Sequence, residues 1–125
     1  MRAYTVAAVA VALKMPVKWV DNVLSHNKVR GVDQARQGVA RRLTPQAVTI
    51  LEIALQLVRS ASLPVSRALE VAHKVAELGG SAAPVYLSRT VTIVVDVAAI
   101  TAETSGRLAQ AVEIAPRPRR GRPPR

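Results

Sequence analysis

Hydrophobic side chains recur every three or four residues over residues 5–13 and again over residues 16–27. This spacing predicts two short amphipathic helices, the first capped by Thr5 and the second opening with Pro16 at its first helical position. Lys14 and Met15 interrupt the pattern between them. We therefore expect two helices that are joined by a tight turn and that pack their apolar faces together.

The second of these helices would present a polar face to solvent. A face with Lys, Asn, Ser and His side chains is what a helix needs to read the DNA major groove, because these groups donate and accept hydrogen bonds at base edges. From this stretch alone, a small helical core with a solvated face is an equally good interpretation. The candidate DNA-reading residues are Lys14, Pro16, Lys18, Trp19, Asn22, Ser25 and His26.

Residues 28–43 change character, with short apolar positions on either side of a polar, turn-forming segment at 33–38. This arrangement predicts a small β-hairpin, or wing. Standing alone, its cations would suggest a solvated surface loop, but after a candidate reading helix they lie where phosphate contacts are expected. The wing cations are Lys28, Arg30, Arg36, Arg41 and Arg42.

Two longer helices should follow. Thr44 and Pro45 open a helix to about residue 60 that is apolar on most sides, so it should be central and covered on more than one face. A second helix is predicted over residues 64–78, where Gly79 and Gly80 end it. His73 falls between its two faces and is expected to be a surface or boundary residue.

The order of these elements carries a family resemblance over about residues 2–78. Its components are the Tyr4-Thr5-Val6 start, the helix pair, the basic segment ending at Arg41-Arg42-Leu43-Thr44, the long helix, and the opening Ser62-Leu63-Pro64. Together they resemble the winged helix-turn-helix domain of MerR-like transcriptional regulators. The resemblance implies a DNA-binding domain at 1–78 in which Lys18, Trp19 and Asn22 face the groove and the wing cations grip the backbone.

Residues 81–115 depart from that pattern. Residues 81–84 are expected to be a linker, the six β-branched residues at 90–95 predict a strand, and Asp96 caps a helix from 97 to 114. A lone strand must pair with the wing or with the same strand of another subunit. We favour the second option, which makes 81–115 a strand-helix dimerisation segment and the protein a homodimer through 85–115. In the alternative, strand and helix fold back onto their own domain.

The tail at 116–125 is rich in Arg and Pro and should be extended and disordered on its own. Its centre, Arg120-Gly121-Arg122-Pro123, resembles an AT-hook, a segment that lies in the minor groove of A·T-rich DNA. A generic basic tail that binds phosphates is the alternative. The candidate minor-groove residues are Arg117, Arg119, Arg120, Gly121, Arg122, Pro123 and Arg125.

The distribution of charge along the chain predicts a polyanionic binding partner. The net charge of +10 is concentrated in residues 1–43 and 116–125, whereas residues 44–115 have a slight excess of acidic residues. Such placement is typical of nucleic-acid binding. No apolar run is long enough to span a membrane, and a secretory signal at the N-terminus is disfavoured because the run leads directly into the second helix.

The sequence offers no sign of catalysis. It has no Cys, its two histidines lie far apart, and it lacks a Gly-rich phosphate loop or an interpretable nucleophile. We therefore expect neither enzyme activity nor a metal or other cofactor.

These observations predict a mainly α protein with a small β component that binds double-stranded DNA in the cytoplasm, at the nucleoid, as a transcriptional regulator. A sequence-tolerant architectural protein, the antitoxin of a toxin–antitoxin pair, and an RNA-binding protein are the alternatives. The last is disfavoured because aromatic residues, which stack on bases, are nearly absent.

Overall fold

A computed structural model describes residues 3–33 and 40–114, which form five helices and five short strands. The helices are α1 (Val6–Leu13), α2 (Val17–His26), α3 (Pro45–Ala61), α4 (Val65–Leu78) and α5 (Val97–Ile114). The strands are β1 (Tyr4–Thr5), β2 (Val32–Asp33), β3 (Arg42–Leu43), β4 (Ala83–Tyr86) and β5 (Thr92–Val95). The predicted class, mainly helical with a small β component, is confirmed.

Side-chain caps fix the starts of three helices, as the sequence predicts. The hydroxyl groups of Thr5 and Thr44 accept hydrogen bonds from backbone N–H groups three residues later, at 3.1 and 3.2 Å. The Asp96 carboxylate does the same for α5 at 2.9 Å. Pro16 and Pro64 are N-caps, so α2 and α4 begin one residue later than predicted.

The core is aliphatic and is centred on α3. Nine residues of this helix are buried, and α4 and α5 both pack against it. The central position predicted for this helix is therefore confirmed. Its one buried charge is Glu52, whose carboxylate accepts hydrogen bonds from Arg107 on α5 and from Gln56, each at 3.0 Å. This ion pair joins α5 to the centre of the core.

Part of the segment predicted to be a wing forms a strand pair. β2 and β3 are antiparallel, with Val32 opposite Leu43 and Asp33 opposite Arg42, and residues 34–39 between them lie outside the described part of the chain. β1 pairs with the other edge of β3 and makes it the central strand of a three-stranded sheet. β1 was not predicted from the sequence, because a strand of two residues has no detectable alternation of apolar and polar positions.

In the C-terminal region, the structure differs from two predictions. The expected linker at 81–84 is partly strand, because Ala83 and Pro84 begin β4, which pairs antiparallel with β5. The strand predicted over 90–95 therefore has a partner in its own chain, β4, whereas we expected it to pair with the wing or with the same strand of another subunit. α5 packs on α1 and α3, so strand and helix fold back onto the N-terminal core. The homodimer stays a prediction.

Candidate nucleic-acid interface

A sharp turn between α1 and α2 decides which side of α2 faces outward. Lys14 adopts the left-handed conformation with φ of 56°, and Met15 donates a backbone hydrogen bond to the Ala10 carbonyl at 3.0 Å. Only residues 14–16 separate the two helices, and α2 packs Val20 and Val23 into the core. The opposite side of α2 is left for solvent.

The outward side of α2 carries much of the polar chemistry predicted for it. Lys18, Asn22 and Ser25 are exposed at the i, i+4 and i+7 positions of one helical face. His26 is exposed beside them, and its Nδ1 donates to the Asn22 carbonyl at 2.8 Å, which fixes the ring at the end of the helix. Trp19 is half-buried and packs against the core, so its indole contributes less to this face than its position in the sequence suggests.

Arg41 connects the approach to β3 with α2. Its guanidinium lies 3.2 Å from Ser25 Oγ and 3.5 Å from Asp21 Oδ1, and the side chain is only 22% exposed. The sequence pattern predicts that Arg41 contacts a phosphate. The structure instead places its side chain where it fixes β3 relative to α2. Arg42, next in the chain, is exposed on β3.

Arg30 ties the segment before β2 to α4. Its guanidinium forms an ion pair with Glu77 at 2.6 Å, and its backbone N–H donates to His73 Nε2 at 3.1 Å. His73 Nδ1 in turn donates to the Leu69 carbonyl at 2.7 Å. The hydrogen bond and charge of Arg30 lower the pKa of Glu77 below its ordinary value. His73 therefore anchors the segment before β2 to α4, a role that no local sequence signal could indicate.

Gly31 makes the next turn possible. Its φ of +90° is a conformation that side chains disfavour, and its carbonyl accepts a hydrogen bond from the Thr44 N–H at 2.9 Å. A Cβ at this position would overlap Thr44 Oγ1, the atom that caps α3. The hairpin and the start of α3 thus share one tightly packed corner.

The remaining predicted residues divide between exposed positions and undescribed segments. Lys14, Pro16 and Lys28 are exposed at the two ends of α2. Outside the described residues lie Arg36 of the wing and the tail residues Arg117, Arg119, Arg120, Gly121, Arg122, Pro123 and Arg125. Over the described ranges, the exposed face of α2 is thus flanked along the chain by several exposed cations.

Within residues 3–33 and 40–114, no group of three or more His, Cys, Asp or Glu side chains could hold a metal ion. No helix in the same ranges is long and apolar enough to cross a bilayer. In comparisons with known proteins, no protein family, no curated protein and no solved structure matches the chain.

Proposed function

We propose that this protein binds double-stranded DNA as a transcriptional regulator, with α1, α2 and the β2–β3 hairpin acting as a winged helix-turn-helix. One observation carries the proposal: Lys18, Asn22 and Ser25 share the exposed face of a helix whose other face is buried. A helix of about 10–12 Å in diameter fits the B-DNA major groove, which is about 12 Å wide.

The side chains on this face suit base readout. The Asn22 amide can make a bidentate pair with adenine, and the Lys18 ammonium can donate to the N7 and O6 acceptors of guanine. The Ser25 hydroxyl already accepts a hydrogen bond from Arg41, so it would contact DNA while held in place. Readout by Asn22 and Lys18 would supply the sequence preference.

Flanking cations would supply affinity that does not depend on sequence. The exposed Lys14, Lys28 and Arg42 lie in the turn before α2, after α2 and on β3, where they can meet phosphates on either side of the groove. Arg41 would act by holding the hairpin against α2. We include the AT-hook-like tail at 116–125 in the proposal as a contact to the adjacent minor groove.

The test compares Asn22→Ala with Arg42→Gln on DNA sites selected from a random pool by the unaltered protein. Asn22→Ala should weaken binding to the selected site by about 1–3 kcal/mol and relax preference at one base pair. Arg42→Gln should weaken binding to selected and random DNA alike and reduce the slope of log affinity against log salt by about one unit.

Gln110→Ala is the matched control, because Gln110 is an exposed amide on α5 and is not one of the residues proposed to contact DNA. Its affinity for the selected site should equal that of the unaltered protein. Base readout by α2 is refuted if Asn22→Ala behaves like this control. Equal affinity of the unaltered protein for selected and random DNA would instead favour a sequence-tolerant architectural protein.

A further inference from the structure

A groove of about 700 Å³ lies between α4 and β4, on a part of the molecule that the proposed DNA contacts do not use. Buried valines line its depth, namely Val71 and Val75 from α4 and Val85 from β4. At its mouth, Leu78 and Tyr86 are 65% and 70% exposed. Large apolar side chains beside a concave apolar surface are typical of a binding site.

Two cations accompany these apolar residues. Arg67 and Lys74 both line the groove from α4 and lie seven residues apart, which places them on one side of the helix about 10 Å from each other. Arg67 is 3.4 Å from Glu70, whereas Lys74 forms no salt bridge within the described part of the chain and acts on Glu77 only through its charge. Among the described residues that line the groove, Glu77 is the one acid, and it is already paired with Arg30. The charge that remains for a ligand is therefore positive.

We infer that this groove binds a small amphipathic anion, with an aliphatic or aromatic body against the valines and a carboxylate or sulfonate at Lys74. The volume lies within the range of about 300–1,000 Å³ that holds small-molecule ligands. Charge complementarity selects an anion over a neutral or cationic compound of the same shape. The exposed rings and methyl groups of Tyr86 and Leu78 can fold over the ligand body and lose contact with water.

The groove also adjoins the ion pair that connects α4 to the segment before β2. Glu77 lines the groove and holds the Arg30 guanidinium at 2.6 Å. A bound anion places a further negative charge beside Glu77 and so perturbs the Arg30–Glu77 ion pair, which holds the segment before β2 against α4. This second part of the inference rests on the proposed function, and it makes the ligand an effector that lowers DNA affinity.

The binding test uses 8-anilinonaphthalene-1-sulfonate, which combines an aromatic body with an anionic group and fluoresces when shielded from water. Its fluorescence should rise saturably with the full-length protein, and decanoate should displace it. Decan-1-ol and decylamine, which have the same chain length but a neutral and a cationic head, should displace it much less well. Equal displacement by all three compounds would refute recognition of an anion.

Charge variants test whether the anion binds in the groove. Lys74→Glu should raise the dissociation constant for decanoate about fivefold or more, because an attractive charge becomes a repulsive one. Arg89→Glu makes the same change in charge at an exposed cation in the β4–β5 turn, outside the groove, and should leave the constant unchanged. Both residues are exposed, so both variants should fold, and Lys74→Gln should lie between the extremes. An unchanged dissociation constant in Lys74→Glu would overturn the assignment.

A separate experiment measures affinity for selected DNA with and without saturating decanoate. We expect about a fivefold loss of affinity in the unaltered protein and a smaller loss in Lys74→Glu. If the protein binds DNA and decanoate leaves its affinity unchanged, the coupling is wrong. If the protein binds no DNA, the proposed function fails, whereas the fluorescence experiment still decides whether the groove binds an anion.

Discussion

The buried ion pair between α3 and α5 gives a prediction of stability that can be worked out from its surroundings. Glu52 is 2% exposed and Arg107 is 29% exposed, and their contact at 3.0 Å is made in the core. Arg107→Leu would leave the Glu52 carboxylate buried with Gln56 as its only remaining hydrogen-bond donor among the described residues. We expect this variant to be strongly destabilised.

Removing one partner of a buried pair costs about 3–5 kcal/mol, because the other charge is left without compensation. Since Arg107 is partly exposed, water can reach part of the gap it leaves, and we expect the low end, about 3 kcal/mol. Replacing both residues by apolar ones removes the desolvated charge as well. The double variant Glu52→Leu/Arg107→Leu should therefore lie within about 1 kcal/mol of the unaltered protein.

Urea unfolding followed by circular dichroism measures these free energies directly. Arg67→Leu is the matched control, since it breaks the exposed pair with Glu70 at 3.4 Å and should cost less than about 1 kcal/mol. If Arg107→Leu is no more destabilising than Arg67→Leu, or if the double variant is less stable than Arg107→Leu, then the pair does not hold α5 as we describe.

Two further predictions concern the corner at Gly31 and the ion pair of Arg30. Gly31→Ala should lower the free energy of unfolding by about 2–3 kcal/mol, because it combines a left-handed residue with loss of the Thr44 cap, whereas Gly106→Ala in α5 should raise it by about 0.5–1 kcal/mol. Similar effects of both changes in urea unfolding would contradict the strained geometry at Gly31. Glu77→Gln should be less stable than the unaltered protein at neutral pH. Because the pKa of Glu77 is lowered by Arg30, this stabilisation is present above the ordinary value of 4.5 and is lost as the pH falls through the lowered value, so unfolding curves of the two proteins should converge in acid. A difference that persists at low pH would mean that Glu77 stabilises the fold by other contacts.

Local signals account for the elements that sequence analysis predicted well. Helix starts follow from Thr5, Thr44 and Asp96, whose side chains cap within three residues of their own position. The end of α4 at Leu78 follows from the glycine that succeeds it. Such features depend on neighbours in the chain, so the sequence contains them explicitly.

Contacts between residues that lie far apart in the sequence could not be predicted from local signals. Arg30 and His73 lie 43 residues apart, and nothing in the spacing of either indicates the other. β4 escaped prediction because Ala83 and Pro84 have low strand propensity, and Pro84 is tolerated only because the two-stranded sheet is all edge. Of the candidate site, the exposed face of α2 was predictable from periodicity, whereas the inward use of Arg41 depends on tertiary contacts with Asp21 and Ser25.

The packing of α1 against α5 has a consequence for biosynthesis. α1 is apolar on every side, and its cover includes α5, which ends about 100 residues later in the chain. At about 5–20 residues per second, a ribosome needs on the order of 5–20 s to add that stretch. Throughout this interval the side of α1 that α5 covers stays exposed on the nascent chain, and exposed aliphatic surface of this kind promotes aggregation or binding by chaperones.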